Sequence, residues 1–407
     1  MRSLAVLFTV FLSSAFLFGQ PVRSGIEVLR EENFAPLRGK RVGLITNPTG
    51  VDRKLQSTID ILRSAPGVTL VAVFGPEHGV SGTHGPGVSV ESDTSRGLPV
   101  YSLYGKTRKP TPEMLKGIDL LVYDIQDIGC RSYTFISTMG LAMEAARDAG
   151  IGFVVLDRPD PLGGERVEGN IIEKGFESFV GAYPIPYLYG LTCGELARFI
   201  NGEGLLQGGG RCSLEVIAMK GWRRSMKFQD TGLPWVPPSP HIPEIATACH
   251  YPSTGILGEL GVLSEGVGYT IPFKVLAAEW IDPEAMAGKM NGLNIDGVRF
   301  RPIRFAPFYG TKKDKDLGGV QIYISDSTKA SLMSIQFRFL EAQSELYPEK
   351  NPFAMADSSR LRMFDKVAGT DKVRLLFAKR MKYEDLRPLL ERDVAPFRAR
   401  AAKYLLY

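Results

Sequence analysis

Runs of apolar residues, rather than an apolar–polar alternation, dominate the first half of the chain. RVGLIT (41–46), VTLVAVF (68–74), DLLVYDI (119–125) and GFVVLD (152–157) are each long enough for a strand, and each ends at a turn signal or a charged residue. Between them, residues 55–63 and 134–149 carry apolar positions at helical spacing. A strand that is apolar at every position is buried on both faces, and strands alternating with helices build a parallel sheet covered on both sides. The pattern predicts an α/β fold whose N-terminal domain is a Rossmann-like parallel sheet. A helix is expected over residues 193–201. LPWVPPSPHIP (233–243), with five prolines in eleven residues, reads as a stiff, extended connector. Beyond it, GVRFRPIRFAPF and GGVQIYISD read as strands and residues 331–346 as a helix, giving a smaller α+β domain. The expected boundaries are 21–240 for the sheet domain and 241–407 for the second, with a cleft between them.

In an open α/β sheet, ligands bind beyond the carboxyl ends of the strands. Those ends carry Asn47, then Glu77 and His78, then Asp124, Gln126 and Asp127, then Asp157 and Arg158. Four exits therefore supply polar groups to one rim. The usual occupant is not indicated: no G-x-G-x-x-G follows a strand and no G-x-x-x-x-G-K-[ST] loop is present, so no nucleotide or other cofactor is expected.

Length and composition narrow the class. With 407 residues and 44% hydrophobic content the chain can bury a large core. Its net charge of +5 comes without a Lys/Arg run, so a nucleic-acid partner is not expected. Arg2, an apolar run from Leu4 to Phe18 and the exit Gly19-Gln20-Pro21 have the layout of a secretory signal over residues 1–20. The expectation is an exported protein, periplasmic or secreted, without stable membrane insertion once the signal is removed. Cys130, Cys193, Cys212 and Cys249 are widely spaced and include no C-x-x-C. Buried free thiols are the default, with a Cys193–Cys212 or other bridge left open.

Glu77 is the leading candidate for chemistry. A Gly-Pro step fixes its backbone, and the glycines that follow let main chain approach a ligand. A carboxylate partly shielded at a cleft floor rises in pKa and becomes a general acid, the group glycoside hydrolysis requires. His78 could orient it, bind substrate, or join His84 and Glu91 or Asp93 around a metal, although no recognised metal-ligand spacing occurs. In YDIQDIGCRSYTF (123–135), Arg131 offers a bidentate partner for a carboxylate and Tyr133 a stacking face with a hydroxyl; alternatively Arg131 only secures the loop. Asp157 either faces the cleft or caps its turn. Tyr251, Glu259 and Glu265 lie in a glycine-rich stretch that could close the cleft from the second domain, and His241 and His250 are structural or cleft-lining.

Taken in order, TNPTGVD, FGPEHGVSG, YDIQDIGCRSYT, LDRPDPLGG, PSPHIP, LSEG and the closing KYLLY resemble the DUF1343 family, whose characterised branch is the exo-β-N-acetylmuramidases (NamZ/YbbC-like). The resemblance spans residues 41–407. It implies two domains with a cleft between them and release of terminal β-linked N-acetylmuramic acid from peptidoglycan fragments. By motif position Glu77 is similar to the family's proposed catalytic carboxylate, and His78, Arg131 and Tyr133 to its cleft residues. On this basis Glu77 is expected to be the acid and Asp124 or Asp127 the base or stabiliser. Water or the substrate's own acetamido group would attack, and Arg131 would meet the lactyl carboxylate. Asn47, His78, Gln126, Tyr133, Asp157, Arg158, Tyr251 and Glu265 are expected to bind substrate. One segment departs from the family pattern: Leu260-Gly261-Val262 and Val267 stand where polar residues are usual, which predicts an apolar cleft wall. That departure favours a competing reading, a non-catalytic exported protein that binds muropeptides or sugars. A metal-dependent hydrolase is a further alternative.

Overall fold

The computed structural model describes residues 21–85, 87–88, 93–95 and 97–407. The expected signal at 1–20, and Glu91, lie outside the described residues. Ten strands appear in chain order: β1 Arg41–Thr46, β2 Thr69–Gly75, β3 Asp93–Ser95, β4 Leu98–Ser102, β5 Leu120–Asp124, β6 Gly152–Leu156, β7 Ser213–Ile217, β8 Val275–Ala278, β9 Val298–Phe305 and β10 Leu317–Ile324. The first seven form one sheet in the order β3-β4-β2-β1-β5-β6-β7, and the last three a small antiparallel sheet in the order β8-β10-β9. Only β3 runs antiparallel in the large sheet. Its six parallel strands have the doubly wound order, with the direction of winding reversing between β1 and β5. The α/β class and the smaller second sheet agree with the sequence.

The apolar runs are explained by two faces. Leu120 and Val122 of β5 pack with Val42, Leu44 and Val154 against α1 (Gly25–Glu31) and α2 (Thr58–Arg63). Leu121 and Tyr123 point the other way, into the cluster built by α3 (Phe135–Ala149) and α4 (Cys193–Gly202). Successive residues on a strand face opposite sides, so a sheet sandwiched between helix layers needs both to be apolar.

The second cluster continues without a break into the C-terminal half. It takes in α5 (Ile245–Gly258), α6 (Pro283–Gly292), α7 (Leu332–Leu346) and α9 (Ser358–Ala368), which follows the short α8 (Pro352–Met355). Three elements differ from the sequence reading. β4 carries Pro99, and only the last of its five residues is fully buried. β7 is the sheet's far edge and has Glu215 in its middle. α5 contains Pro252, which a helix interior rarely accepts. All four cysteines are free thiols, so the Cys193–Cys212 bridge does not form.

Candidate active site

At the exit of β2 the chain turns instead of entering a helix. The Gly79 amide donates to the carbonyl of Pro76 at 2.9 Å, and His78 adopts a left-handed backbone with φ of 71°. A side chain on Gly75 would sit 2.8 Å from the Val80 amide, so the turn closes only around a glycine. The turn presents Glu77 and His78 to a cavity of about 550 Å³. Its other walls include Tyr104 and Arg108 after β4, Ser132 to Thr134 at the start of α3, Phe179, His241, Tyr251, and Glu259, Glu265 and Arg360 from the C-terminal half.

The Glu77 carboxylate is held at both oxygens. The Thr134 hydroxyl donates to Oε2 at 2.6 Å and the Gly87 amide to Oε1 at 3.0 Å. Thr134 is the N-cap of α3, yet its hydroxyl makes no capping bond to the helix; it serves Glu77 instead. Burial and the charge of Glu77 push the Tyr104 phenol up to about 12, so it remains a protonated donor beside the acid. His78 Nδ1 lies 2.8 Å from the His84 carbonyl and must carry a proton to donate there. The Tyr133 hydroxyl is buried beside Ser239, and its ring packs edge-on against Tyr251. Burial, with Glu259 nearby, pushes the Glu265 carboxyl up to about 7; burial also raises Glu259, while Arg360 opposes both shifts.

Of the sequence candidates, Glu77, His78, Tyr133, His241, Tyr251, Glu259 and Glu265 meet in this cavity. Asn47, Asp124, Gln126, Asp127, Arg131, Asp157 and Arg158 do not line it. Asp124, expected as base or stabiliser, takes two bonds from Arg158, at 2.5 and 3.0 Å, and a third from the Thr58 hydroxyl. Arg158 completes its fork on the Val51 carbonyl. Asn47 accepts from the amide and hydroxyl of Thr49, and its amide reaches the Pro238 carbonyl. Gln126 donates to the carbonyls of Asp127 and Pro159. Asp127 accepts from the Tyr189 hydroxyl and the Gly129 amide, and burial pushes it up to about 6. Asp157 caps α4 through the Gly194 amide and the Thr192 hydroxyl, and also accepts from the hydroxyl of Tyr407.

Arg131 differs most from expectation. Its guanidinium is fully buried and donates to the carbonyls of Asn170, Ile185, Val367 and Ala368, so it ties the sheet region to the end of α9 rather than facing a ligand. The expected apolar wall also moves: Leu260 and Val262 are core residues, and of the substituted positions only Val267 reaches the cavity. Among the described residues, no three His, Cys, Asp or Glu side chains gather where a metal could sit. Tyr104, Arg108, Thr134 and Phe179 escaped the sequence reading. The first two would have been found by the same rule that found Glu77, had β4 been recognised as a strand.

Comparison with known proteins agrees with this architecture. The family model described as exo-beta-N-acetylmuramidase NamZ, N-terminal, matches residues 42–246, and its C-terminal counterpart matches residues 249–407. A peptidoglycan beta-N-acetylmuramidase NamZ from Bacillus subtilis is 43% identical over 388 residues, covering 95% of this chain and 91% of that protein. A DUF1343 family protein of known crystal structure from Bacteroides fragilis is 56% identical and superposes with a TM-score of 0.91, covering 95% of this chain and 99% of that one. A second from the same organism, 28% identical, gives 0.76 over the same shares. Matched along both halves in sequence and in fold, the chain belongs to the NamZ exo-β-N-acetylmuramidase (DUF1343) family and is a glycoside hydrolase.

Proposed function

We propose that this enzyme removes terminal β-linked N-acetylmuramic acid from peptidoglycan-derived saccharides, with Glu77 as the general acid. The observation that carries the reading is the carboxylate itself, clamped by Thr134 and Gly87 on the wall of a cavity of about 550 Å³ that both halves of the chain line. Glu77 protonates the glycosidic oxygen as the bond breaks, and water or the sugar's acetamido group attacks the anomeric carbon. Asp124, both of whose oxygens accept from protein donors, and Asp127, whose Oδ1 accepts from Tyr189 and Gly129, hold the strand ends in place. Export through residues 1–20 is part of the proposal and suits a cell-wall substrate. Its support is the sequence layout of that segment, and among the described residues no helix is long and apolar enough to cross a membrane.

The test is hydrolysis of two substrates by the wild type and by Glu77→Gln. A muramyl disaccharide needs its leaving sugar protonated, whereas a nitrophenyl glycoside leaves without a proton. Glu77→Gln should lower kcat/KM on the disaccharide roughly 10²- to 10⁴-fold and on the nitrophenyl glycoside much less. Equal losses on both would remove the general-acid role, and an inactive wild type would remove the muramidase reading.

A further inference from the structure

The cavity contains three cations, Arg108, Arg360 and Lys366, and they are not equivalent. Arg360 electrostatically opposes the upward shifts of Glu259 and Glu265, so part of its field is already directed at protein carboxylates. Arg108 has its guanidinium carbon 4.4 Å from the centre of the Phe179 ring and 5.8 Å from that of Tyr104. A guanidinium lying over a ring keeps its N–H donors in its own plane, directed away from the ring and unspent. Among the described residues no carboxylate pairs with Arg108. The contrast is Arg131, whose two terminal guanidinium nitrogens are held by four carbonyls. Stacking holds the Arg108 fork in one orientation, which lowers the entropy lost when it meets a flat, two-oxygen anion. Tyr104 joins this fork to the acid, since its ring lies under Arg108 and its phenol beside Glu77. Cation and acid thus share one cavity, and a muramic acid ring carries the bond to be cut at C1 and the lactyl ether at C3.

We propose that Arg108 is a specificity residue of this cavity, its unpaired fork receiving the lactyl carboxylate of the terminal muramic acid. The inference rests on the muramidase reading and adds to it the group that distinguishes muramic acid from N-acetylglucosamine. The interaction is made equally in the ground state and the transition state, so its loss belongs in KM rather than kcat.

The experiment uses nitrophenyl β-glycosides of N-acetylmuramic acid and of its lactyl methyl ester, which keeps the shape and removes the charge. The full-length wild type is compared with Arg108→Ala, Arg108→Lys and Lys366→Ala. Arg108→Ala should raise KM for the acid roughly ten- to hundredfold with little change in kcat, and should leave the ester as it is with the wild type. Arg108→Lys should recover part of the loss, because it restores the charge without the fork. Unchanged KM for the acid in Arg108→Ala, equal losses on acid and ester, or the charge-dependent loss appearing in Lys366→Ala instead would each overturn the assignment. A wild type that hydrolyses neither glycoside would overturn the muramidase reading and this inference with it.

Discussion

Two polar regions lie along the carboxyl edge of the large sheet, and they do opposite things. At the exits of β1, β5 and β6, where the winding reverses and a ligand crevice is expected, Asn47, Asp124, Gln126, Asp157 and Arg158 bond to one another and to nearby main chain. The space left between residues such as Thr49, Gln126, Arg158 and Leu233 is about 10 Å³, room for about one water. At the exit of β2 the polar groups face about 550 Å³ of open cavity, and among the described residues no carboxylate pairs with the Arg108 fork stacked on Phe179 there. A dense cluster of polar residues in sequence therefore marks one of two things: a site, or a buried network that must satisfy itself because nothing else will. The strand-exit rule leads to the edge of the sheet where the cavity opens and does not choose between the strands along it.

The comparison can be broken by substitution. The largest effect is expected at Arg131. Arg131→Met leaves four buried carbonyls without their donor and should cost about 3–5 kcal/mol of stability, read as a lower denaturant midpoint. A stable Arg131→Met protein with a selective loss on muramic substrates would return that residue to the site. Thr134→Val comes next and has the opposite signature. Its hydroxyl serves Glu77 and not the helix, so kcat/KM should fall roughly tenfold while the melting temperature stays where it is. A loss of stability of about 1 kcal/mol, the usual worth of an N-cap, would show that the hydroxyl supports α3 instead.

A smaller effect is expected with pH. Burial pushes the Asp160 carboxyl from 3.8 up to about 8. The folded protein then keeps a proton that the unfolded chain has released, so this group's contribution to stability is full below pH 3.8 and declines as pH rises to about 8. Asp127 and Asp157, pushed up to about 6, act in the same direction over a narrower window. Denaturant midpoints at pH 5 and pH 8 should differ less in Asp160→Asn than in the wild type. An unchanged or steeper dependence would show that Asp160 is ionised in the fold.

Much of the fold was legible because burial on both faces writes itself into β1, β2, β5 and β6 as unbroken apolar runs. β7 at the sheet's edge and β4 next to the edge strand β3 were not legible: strands near the rim of a sheet need less apolar surface, and Pro99 and Glu215 broke the pattern. In the site, Glu77 and His78 could be read from their place after a strand. The distinction between Arg131 and Arg108 could not. Both are arginines in polar surroundings, and what separates them is which main-chain oxygens come within reach, a matter of tertiary contacts between residues more than two hundred positions apart.

The central claim is that chemistry occurs at the exit of β2 and not at the winding reversal. It is tested most directly by turnover of a muramyl disaccharide in Glu77→Gln and Asp124→Asn, measured side by side at a temperature where both are folded. The account predicts that Glu77→Gln loses roughly 10²- to 10⁴-fold in kcat/KM without loss of stability, while folded Asp124→Asn stays within a few-fold of wild type. Loss of turnover in folded Asp124→Asn, with Glu77→Gln still active, would place the chemistry at the other end of the edge and contradict it.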